Sequence, residues 1–572
     1  YSGTISEEEI NENKELLDNI PIVSQNMVKQ SLEDTQTEAG YYTFRNILTT
    51  KFIKDNQEKL AYIAPREIAE QSISYNNKTY ELTHGIGQII VDANKTSEEG
   101  NIQYIQKEID DNQRIYYGLE TNSIVVTNTK NKEEYDYTDS EGEEHTYSYE
   151  GKSGIQVGFL DRLILAVRNK DFKLAFSTSV TNQSKILTNR NVIERAKKIM
   201  PYLTYDNSPY LVITNEGNLV WVIDAYTTSK YYPYSQKSNV NGQEINYIKN
   251  SVKVLVDAYN GKVEFYITDR TDPIAMAYNK AFPDVFMDID KEIPSEISEH
   301  FTYSEFLYNI QAEILKRYHN TEPDVLYRAN DVWDIAKYGA GTNSSTQQTT
   351  QMIPYYAIVK TTDSEQTKLG LVLPYTIQGK QSIAGYTVGT YENGKMVMKL
   401  YRYSSDNTVL GPMQLDTQIS QNESISKEIE SLNVSGTKLT KNIVVVPINN
   451  KLIYVESIYQ EYINESDSLP KLRKVVIASG NKMAIGDDLK SALSNLLSQA
   501  FNIEVEDPEN EQALLQSIIK ANKNLKESTS NQDYEMMGKD IKQLQSLIDK
   551  LEQLQSNDLK DKDKENNNTI NL

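Results

Sequence analysis

The chain alternates between stretches with helical periodicity and stretches in which every second residue is apolar. The first stretch opens with "SEEEINENKELLDNI", where Ser6 precedes three glutamates. A serine N-cap followed by an acidic first turn is typical of a helix start, so residues 5–70 are predicted to be mostly helical. Apolar spacings of three and four predict further helices over residues 158–177, 189–203, 272–282, 301–319, 416–432 and 487–499. In the helix of residues 301–319, one apolar face is predicted to carry Phe306, Ile310, Ile314 and Tyr318.

Two β-hairpins are predicted in the middle of the chain. Residues 210–226, "YLVITNEGNLVWVIDAY", alternate around a glycine-containing turn, and residues 252–269 alternate around Asn260-Gly261. Asn-Gly between alternating strands is the strongest short hairpin signal. The tripeptide Asp-Ala-Tyr ends an apolar run in both hairpins, at residues 224–226 and 257–259.

Strand patterns dominate residues 353–480, and the polar stretch "AGTNSSTQQTTQ" precedes them. The fold class is therefore predicted to be α+β and multi-domain, with mixed antiparallel sheets, hairpins, helices and a C-terminal helical hairpin. The predicted division is a helical segment (1–70), an α+β core domain (71–338), a linker or loop (339–352), a β-rich second domain (353–505), a helical hairpin (506–556) and a disordered tail (557–572).

Composition narrows the classes of function. The 572 residues carry a net charge of -22, which argues against nucleic acid as a partner because phosphate binding needs a basic surface. The absence of cysteine excludes disulfides and thiolate chemistry, and the four histidines lie far apart. No segment reaches the roughly 18 consecutive apolar residues of a membrane helix. Motifs for nucleotide, serine-hydrolase and zinc-protease chemistry are missing, so no cofactor and no catalytic residue is predicted, and enzyme activity is left open.

Two sets of side chains are candidates for binding. A tyrosine-rich site is predicted from Asp224, Tyr226, Tyr231, Tyr232 and Tyr234. The competing interpretation is structural, because an aspartate near a turn can accept hydrogen bonds from local backbone N–H groups. The second set is Asp284, Asp288 and Asp290, whose oxygens suit Ca²⁺ but lack the spacing of a known calcium loop.

Several long blocks resemble one bacterial family. They include "NSPYLVITNEGNLVWVIDAYTTSKYYPYSQ", "INYIKNSVKVLVDAYNGKVEFYITDRTDPI", "FTYSEFLYNIQAEILKRYH" and "LPKLRKVVIASGNKMAI", and they follow one another in order from about residue 40 to residue 555. Together they resemble the uncharacterised membrane protein family UPF0182. The resemblance implies a multi-pass membrane protein whose large soluble ectodomain is this chain, anchored through a missing N-terminal region. Residues 1–70 would then be membrane-proximal, and the chain would lie on the extracellular side of the cell membrane.

Three functional hypotheses follow. The first is an extracytoplasmic binding or interaction module at the cell envelope, with a cell-wall or peptide ligand. The second is a carboxylate-dependent hydrolase acting on cell-envelope polymers, which would need two close, desolvated carboxyl groups in a pocket. The third is an accessory domain of a membrane transporter.

Overall fold

The chain forms two compact units, Tyr1–Leu496 and Leu497–Leu572. The first unit has an α+β architecture built on antiparallel sheets. The predicted helical hairpin over 506–556 lies outside the described residues except at isolated positions, and the predicted tail over 557–572 lies outside them altogether. The computed structural model describes residues 3–37, 40–54, 57–110, 112–130, 133–156, 158–240, 242–339, 349–361, 366–404, 409–463 and 469–501, with 518, 519, 521–523, 525, 526, 544 and 548.

The first helix begins where the sequence predicts it. Ser6 Oγ accepts a hydrogen bond from the Glu9 backbone N–H at 3.2 Å, and Glu9 Oε2 accepts one from the Ser6 N–H at 2.9 Å. This reciprocal capping box satisfies two N–H groups that a helix start leaves open. The helical prediction is wrong for the end of the segment, because Leu48–Lys54 and Gln57–Pro65 are strands. Their alternation and β-branched residues favour extended backbone.

Four larger antiparallel sheets organise the described part of the first unit, and their strands are as follows. The first sheet contains Leu48–Lys54, Gln57–Pro65, Gln88–Thr96 and Ile102–Gln106. The second, here called the central sheet, contains Thr204–Tyr205, Tyr210–Ile213, Leu219–Ser229, Tyr247–Asp257 and Val263–Ile267. The third contains Trp333–Ile335, Tyr355–Lys360, Thr367–Ile377, Ile383–Glu392 and Lys395–Arg402. The fourth contains Thr437–Ile448, Lys451–Tyr462, Lys471–Ser479 and Lys482–Gly486.

Shorter elements complete the described structure. Two-stranded pairs join Tyr42–Thr43 to Glu67–Ile68, Gly85–Ile86 to Arg114–Ile115, Val125–Thr127 to Lys185–Leu187, Glu134–Thr138 to Glu144–Tyr147, Ser238–Val240 to Gln243–Ile245, and Lys337–Gly339 to Thr349–Gln351. The helices are Glu7–Glu12, Lys14–Leu17, Gln25–Thr35, Phe159–Arg168, Phe172–Ala175, Val192–Ile199, Pro273–Ala281, Ser295–Ser298, Glu305–Tyr318, Pro323–Arg328, Pro412–Gln421, Glu423–Leu432 and Leu489–Phe501, with a π-helical turn at Asn77–Glu81.

Both predicted hairpins are confirmed in the central sheet. Tyr210 pairs with Val222 across the first, and Val256 pairs with Val263 across the second. Gly261 adopts a φ of 64°, the left-handed conformation that this tight turn requires. The first Asp-Ala-Tyr is predicted to end its strand, and this prediction is wrong. Strand Leu219–Ser229 continues through the tripeptide, with a bulge after Ala225.

Two large hydrophobic cores of the described residues follow one another along the sequence. One draws its buried residues from Leu48 to Phe286, and the other draws them from Tyr303 to Ile485. Tyr308 and Ala312 bring helix Glu305–Tyr318 into the second core. The apolar face predicted for that helix is wrong in part, because Ile314 and Tyr318 on it are exposed. The second core begins upstream of residue 339, and the predicted domain division stays a prediction.

The N-terminal segment is bonded to the fourth sheet. The Ile5 N–H donates to Ser479 Oγ at 3.0 Å, and the Tyr459 hydroxyl donates to the Ile22 carbonyl at 2.7 Å. Lys451 and Glu9 form an ion pair. Residues near the start of the chain are therefore held by strands more than 400 positions later.

Candidate functional site

The structure separates the five residues of the predicted tyrosine-rich site. Asp224 and Tyr226 are buried in the central sheet, whereas Tyr231, Tyr232 and Tyr234 lie exposed beyond the end of strand Leu219–Ser229. The Tyr232 ring stacks on Tyr247 with 5.4 Å between ring centroids, which ties it to a neighbouring strand. The exposed tyrosines do not share a surface with Asp224. The prediction of one site built from all five residues therefore gains no support.

The two Asp-Ala-Tyr tripeptides do different work. Asp257 Oδ1 accepts hydrogen bonds from the N–H groups of Tyr259 and Asn260, at 2.8 and 2.9 Å. That is the turn chemistry proposed in the structural interpretation. Asp224 instead faces Lys253 across two paired strands and forms a buried ion pair with its ammonium group.

The wall of a pocket is built around Asp224. Lys253 Nζ also lies 4.7 Å from the centre of the Phe301 ring and 5.4 Å from that of Tyr391. Asn250 Nδ2 donates to Asp224 Oδ1 at 2.9 Å. The ammonium and the amide compensate the buried carboxylate, as a charge far from water requires.

Asp206 lies beside this pair, at the end of strand Thr204–Tyr205. Its Oδ2 accepts a hydrogen bond from Ser304 Oγ at 2.6 Å and a longer one from the Tyr226 hydroxyl at 3.4 Å. Tyr226 also donates to Ser304 Oγ at 2.6 Å. Burial raises the pKa of Asp206 to about 6, and the nearby negative charge of Asp224 adds to the shift.

Glu305 supplies a third carboxyl group to the same pocket. It is the first residue of helix Glu305–Tyr318, whose N-cap is Ser304. Burial raises the pKa of Glu305 to about 7, and the charge of Asp206 contributes further. Among the described residues, the Glu305 carboxyl group makes no hydrogen bond and no ion pair. It is therefore a half-protonated acid near neutral pH that is available to a ligand.

The Tyr210 hydroxyl completes the unusual features of the pocket. The side chain is only 8% exposed, yet its hydroxyl has no hydrogen-bond partner in the described part of the chain. Burial and the charge of Asp224 hold its pKa well above the usual range, so the hydroxyl keeps its proton. A buried hydroxyl without a partner is costly, and such groups deserve a functional explanation.

These groups line one pocket with a volume of about 200 Å³. Arg45 lies on its lining and is partly exposed, with an ion pair to Glu120 at 3.5 Å. Tyr356 lines the inner wall, and its hydroxyl donates to the Tyr303 carbonyl at 2.6 Å. The lining, called the acidic pocket below, includes Asp206, Asp224, Glu305, Tyr210, Tyr356, Arg45, Ser208, Thr302 and Ser304.

The predicted calcium ligands do not converge. Asp288 Oδ1 accepts from the Asp290 N–H at 3.0 Å, and Asp290 pairs with Arg270 at 3.0 Å. Asp284 is exposed and belongs to no acidic group in the described structure. Within the described ranges, no set of three or more His, Cys, Asp or Glu side chains is placed to hold a metal ion. The calcium hypothesis therefore gains no ligand set.

Asp206 and Glu305 are missed by sequence analysis because their local signals are structural. Asp206 precedes the turn-forming residues Asn207 and Ser208, and it accepts from the Ser208 N–H at 2.9 Å. Ser304 followed by Glu305 matches an ordinary helix start, and Ser304 does cap the helix at the Leu307 N–H. Only the tertiary fold brings Asp206 of the turn and Glu305 of the helix start into one pocket.

Comparison with known proteins assigns the family. The sequence profile of the Uncharacterised protein family (UPF0182) matches residues 1–432. The chain belongs to the UPF0182 family. It is 37% identical over 515 residues to a UPF0182 protein of Caldicellulosiruptor saccharolyticus, covering 87% of this chain and 55% of the relative. A UPF0182 protein of Clostridium kluyveri is 32% identical over 574 residues, covering 96% of this chain and 62% of the relative.

This UPF0182 chain thus spans a little more than half the length of the curated relatives that it matches. No solved structure matches it. In the ranges that the structure describes, no helix combines the length and apolar character needed to cross a bilayer. The family has no established activity to compare with the acidic pocket.

Proposed function

We propose that the chain is a binding module at the cell envelope and that the acidic pocket is its ligand site. The observation that carries the proposal is the pairing of two unused groups in one small pocket. Glu305 offers a carboxyl group without a partner among the described residues, and Tyr210 offers a buried hydroxyl without one. A ligand that engages both would relieve their desolvation.

The chemistry of the lining favours a ligand with a primary ammonium group. Three carboxyl groups line the pocket, and the buried cation Lys253 already compensates one of them. A cation beside Glu305 would stabilise its ionised form and lower its pKa from about 7. Tyr210 would donate a hydrogen bond to a ligand hydroxyl or carbonyl oxygen. Amino sugars and the amino ends of peptides both have this chemistry.

Calorimetric titration of the 572-residue chain tests the proposal. The probes are glucosamine and Ala-Ala, each with its N-acetylated form as the neutral match. We expect at least one amine to bind and its acetylated form to fail. At pH 7 binding should release protons from Glu305, which is detected as a heat that changes with the ionisation enthalpy of the buffer. Which amine binds separates a sugar from a peptide source.

Two variants and one matched control identify the site. Glu305→Gln and Tyr210→Phe should each weaken binding by roughly ten- to hundredfold, because each removes one polar contact with the ligand. The contact of Glu305 with the ammonium group is the charge-assisted one. Glu299→Gln alters an exposed glutamate just before the same helix and should bind as the unsubstituted chain does. Absence of binding by both amines, or equal binding by Glu305→Gln, contradicts the proposal.

A carboxylate-dependent hydrolase is the second candidate function. It is favoured by two carboxyl groups in one pocket whose pKa values of about 6 and 7 lie close to neutral pH. Protonated Glu305 would give its proton to the leaving oxygen of a glycosidic bond, while ionised Asp206 would take a proton from the attacking water. Release of reducing ends from purified peptidoglycan, abolished by Glu305→Gln, would favour this function. Amine binding without such release would favour the binding module.

We also propose that the chain is anchored to the cell membrane through another part of its protein and lies on the extracellular side. The resemblance of its sequence blocks to a membrane protein family supports this location. The chain contains no cysteine, so Tyr327→Cys would introduce a single exposed thiol into it. A membrane-impermeant maleimide should label this variant of the parent protein in intact cells. Labelling only after lysis would contradict the location, and the unsubstituted parent gives the background.

A further inference from the structure

One helix of the first unit presents a large apolar face to its surroundings. Phe159, Leu160, Ile164 and Val167 of helix Phe159–Arg168 are exposed. Phe172 and Phe176, on and just after the next short helix, continue the same feature, and the six side chains are between 58% and 73% exposed. Contiguous exposed apolar side chains of this size mark interaction sites rather than ordinary surface. We call residues 158–176 the apolar helix pair.

The opposite side of the apolar helix pair is firmly attached to the protein. Ala166, Leu174 and Ala175 are buried in a small cluster with Val126 and Ile186. Arg162 Nη1 donates to the Ser177 carbonyl at 3.0 Å, which ties the first helix to the chain that follows. The exposed apolar face therefore belongs to helices that are held in place by the rest of the first unit.

Attachment continues at the start of the second helix. Asp171 Oδ1 accepts from the Leu174 N–H at 3.3 Å, and the Tyr75 hydroxyl donates to the same carboxylate at 2.7 Å. Lys173 Nζ lies 4.8 Å from the centre of the Tyr75 ring. Asp171 is thus engaged internally and holds the start of the second helix in place.

The charge of the apolar helix pair is opposite to that of the whole chain. It contains four basic residues, Arg162, Arg168, Lys170 and Lys173, and two acidic ones, Asp161 and Asp171, in a protein of net charge -22. Arg168, Lys170 and Lys173 are exposed next to the apolar face. Phe and Leu on one face with Lys and Arg beside them are typical of helices that lie in the interface of an anionic bilayer.

We propose that the apolar helix pair docks this domain onto an anionic lipid surface, with Phe159, Leu160 and Ile164 inserted between headgroups. Charge complementarity decides for lipid over a second copy of the chain. A two-fold symmetric contact through this face would bring the cationic cluster of Arg168, Lys170 and Lys173 near the same cluster of the second copy, and the two clusters repel one another. An anionic bilayer attracts these same side chains, although it repels the rest of the acidic protein.

Co-sedimentation with lipid vesicles tests the proposal on the 572-residue chain. We expect binding to vesicles of equal parts phosphatidylglycerol and phosphatidylcholine, weaker binding to pure phosphatidylcholine, and loss of binding as salt rises. The double variant L160E/I164E should lose roughly tenfold or more in binding, because two inserted side chains become charged. R168Q/K170Q should weaken binding to the anionic vesicles and reduce its salt dependence.

Matched controls keep the outcome interpretable. Ile353→Glu changes an apolar residue that is 77% exposed outside the apolar helix pair, and K380Q/K395Q removes two exposed lysines elsewhere. Both should bind vesicles as the unsubstituted chain does, and circular dichroism should show all variants folded. Failure of the unsubstituted chain to bind anionic vesicles overturns the proposal. Unchanged vesicle binding by folded L160E/I164E overturns it too. So does a third result, in which the unsubstituted chain does not bind vesicles but forms a dimer in sedimentation velocity that only L160E/I164E abolishes.

Discussion

Asp224 and Lys253 face each other across neighbouring strands of the central sheet, and both side chains are buried. Asp224 lines the acidic pocket, where two further carboxyl groups, those of Asp206 and Glu305, are also desolvated. Lys253 pairs with Asp224, and its charge also opposes the rise in the pKa of Asp206. Removing Lys253 should therefore leave Asp224 as a buried carboxylate without its cation.

Lys253→Met is expected to lower the free energy of unfolding by about 3–5 kcal/mol, because Asp224 is left buried without its cation. The double variant D224L/K253M should be closer in stability to the unsubstituted chain, since the charge and its partner are lost together. Urea unfolding measures both. The exposed pair of Lys237 and Glu244 is the control, and Lys237→Ala should cost less than about 1 kcal/mol. Equal losses for the buried and exposed pairs would refute the prediction.

Glu305 should make stability depend on pH. Its pKa is about 7 in the folded protein, whereas a glutamate ordinarily titrates near 4.5. Between these values the folded chain holds a proton that the unfolded chain has released, so the free energy of unfolding falls as pH rises through this window. Glu305→Gln should remove a fall on the order of 2 kcal/mol between pH 5 and pH 8.

Urea unfolding at several pH values measures the Glu305 effect. Asp206, with a pKa raised to about 6, contributes a fall of the same sign that remains in Glu305→Gln. Glu299→Gln, at an exposed position before the helix, should keep the full pH dependence. Parallel pH curves for Glu305→Gln and the unsubstituted chain would show that Glu305 does not titrate in this range.

Tyr210→Phe should leave stability unchanged or raise it by up to about 1 kcal/mol, because it removes a buried hydroxyl that has no partner among the described residues. Tyr356→Phe is the matched comparison on the same pocket. Its hydroxyl donates to the Tyr303 carbonyl at 2.6 Å, so its removal should cost about 1 kcal/mol. Thermal or urea unfolding distinguishes the two. A larger loss for Tyr210→Phe than for Tyr356→Phe would mean that the Tyr210 hydroxyl is satisfied in solution.

Gly261→Ala should destabilise the chain more than Gly394→Ala. Both glycines have positive φ, 64° and 78°, in hairpin turns, so both substitutions introduce backbone strain. At Gly261 an added Cβ would also lie 2.6 Å from the Tyr117 ring, whereas at Gly394 it would meet open space. The strain alone should cost about 1 kcal/mol, and the excess at Gly261 measures the contact with Tyr117. Equal unfolding free energies for the two variants would argue against that contact.

The predictability of the fold follows how local each signal is. The Asn260-Gly261 turn and the Ser6 N-cap are decided within a few residues, and both are present as predicted. The role of Asp224 depends on the register that places Lys253 opposite it, which no local pattern contains. Hence the sequence predicts the two hairpins but not the ion pair between Asp224 of the first and Lys253 of the second.

The acidic pocket could not be predicted from the sequence for the same reason. Asp206, Asp224 and Glu305 lie in a turn, a strand and a helix start, which are separate elements of the chain. Their shared role comes from the approach of the helix to the central sheet through Ser304. The predicted tyrosine cluster stays a prediction, and it shows the opposite relation: Tyr231 and Tyr234 are close in sequence to Asp224, but they are exposed whereas Asp224 is buried.

The attachment of the N-terminal helices to the fourth sheet also has a consequence for synthesis. The partners of Ile5, Glu9 and Ile22 on that sheet are Ser479, Lys451 and Tyr459, so a ribosome must add more than 400 residues before these contacts can form. These N-terminal residues are therefore synthesised long before their partners on the fourth sheet. Until those partners have been synthesised, chaperones or the rest of the nascent chain must keep Leu16 and Leu17 from aggregating, because both are buried in the folded protein.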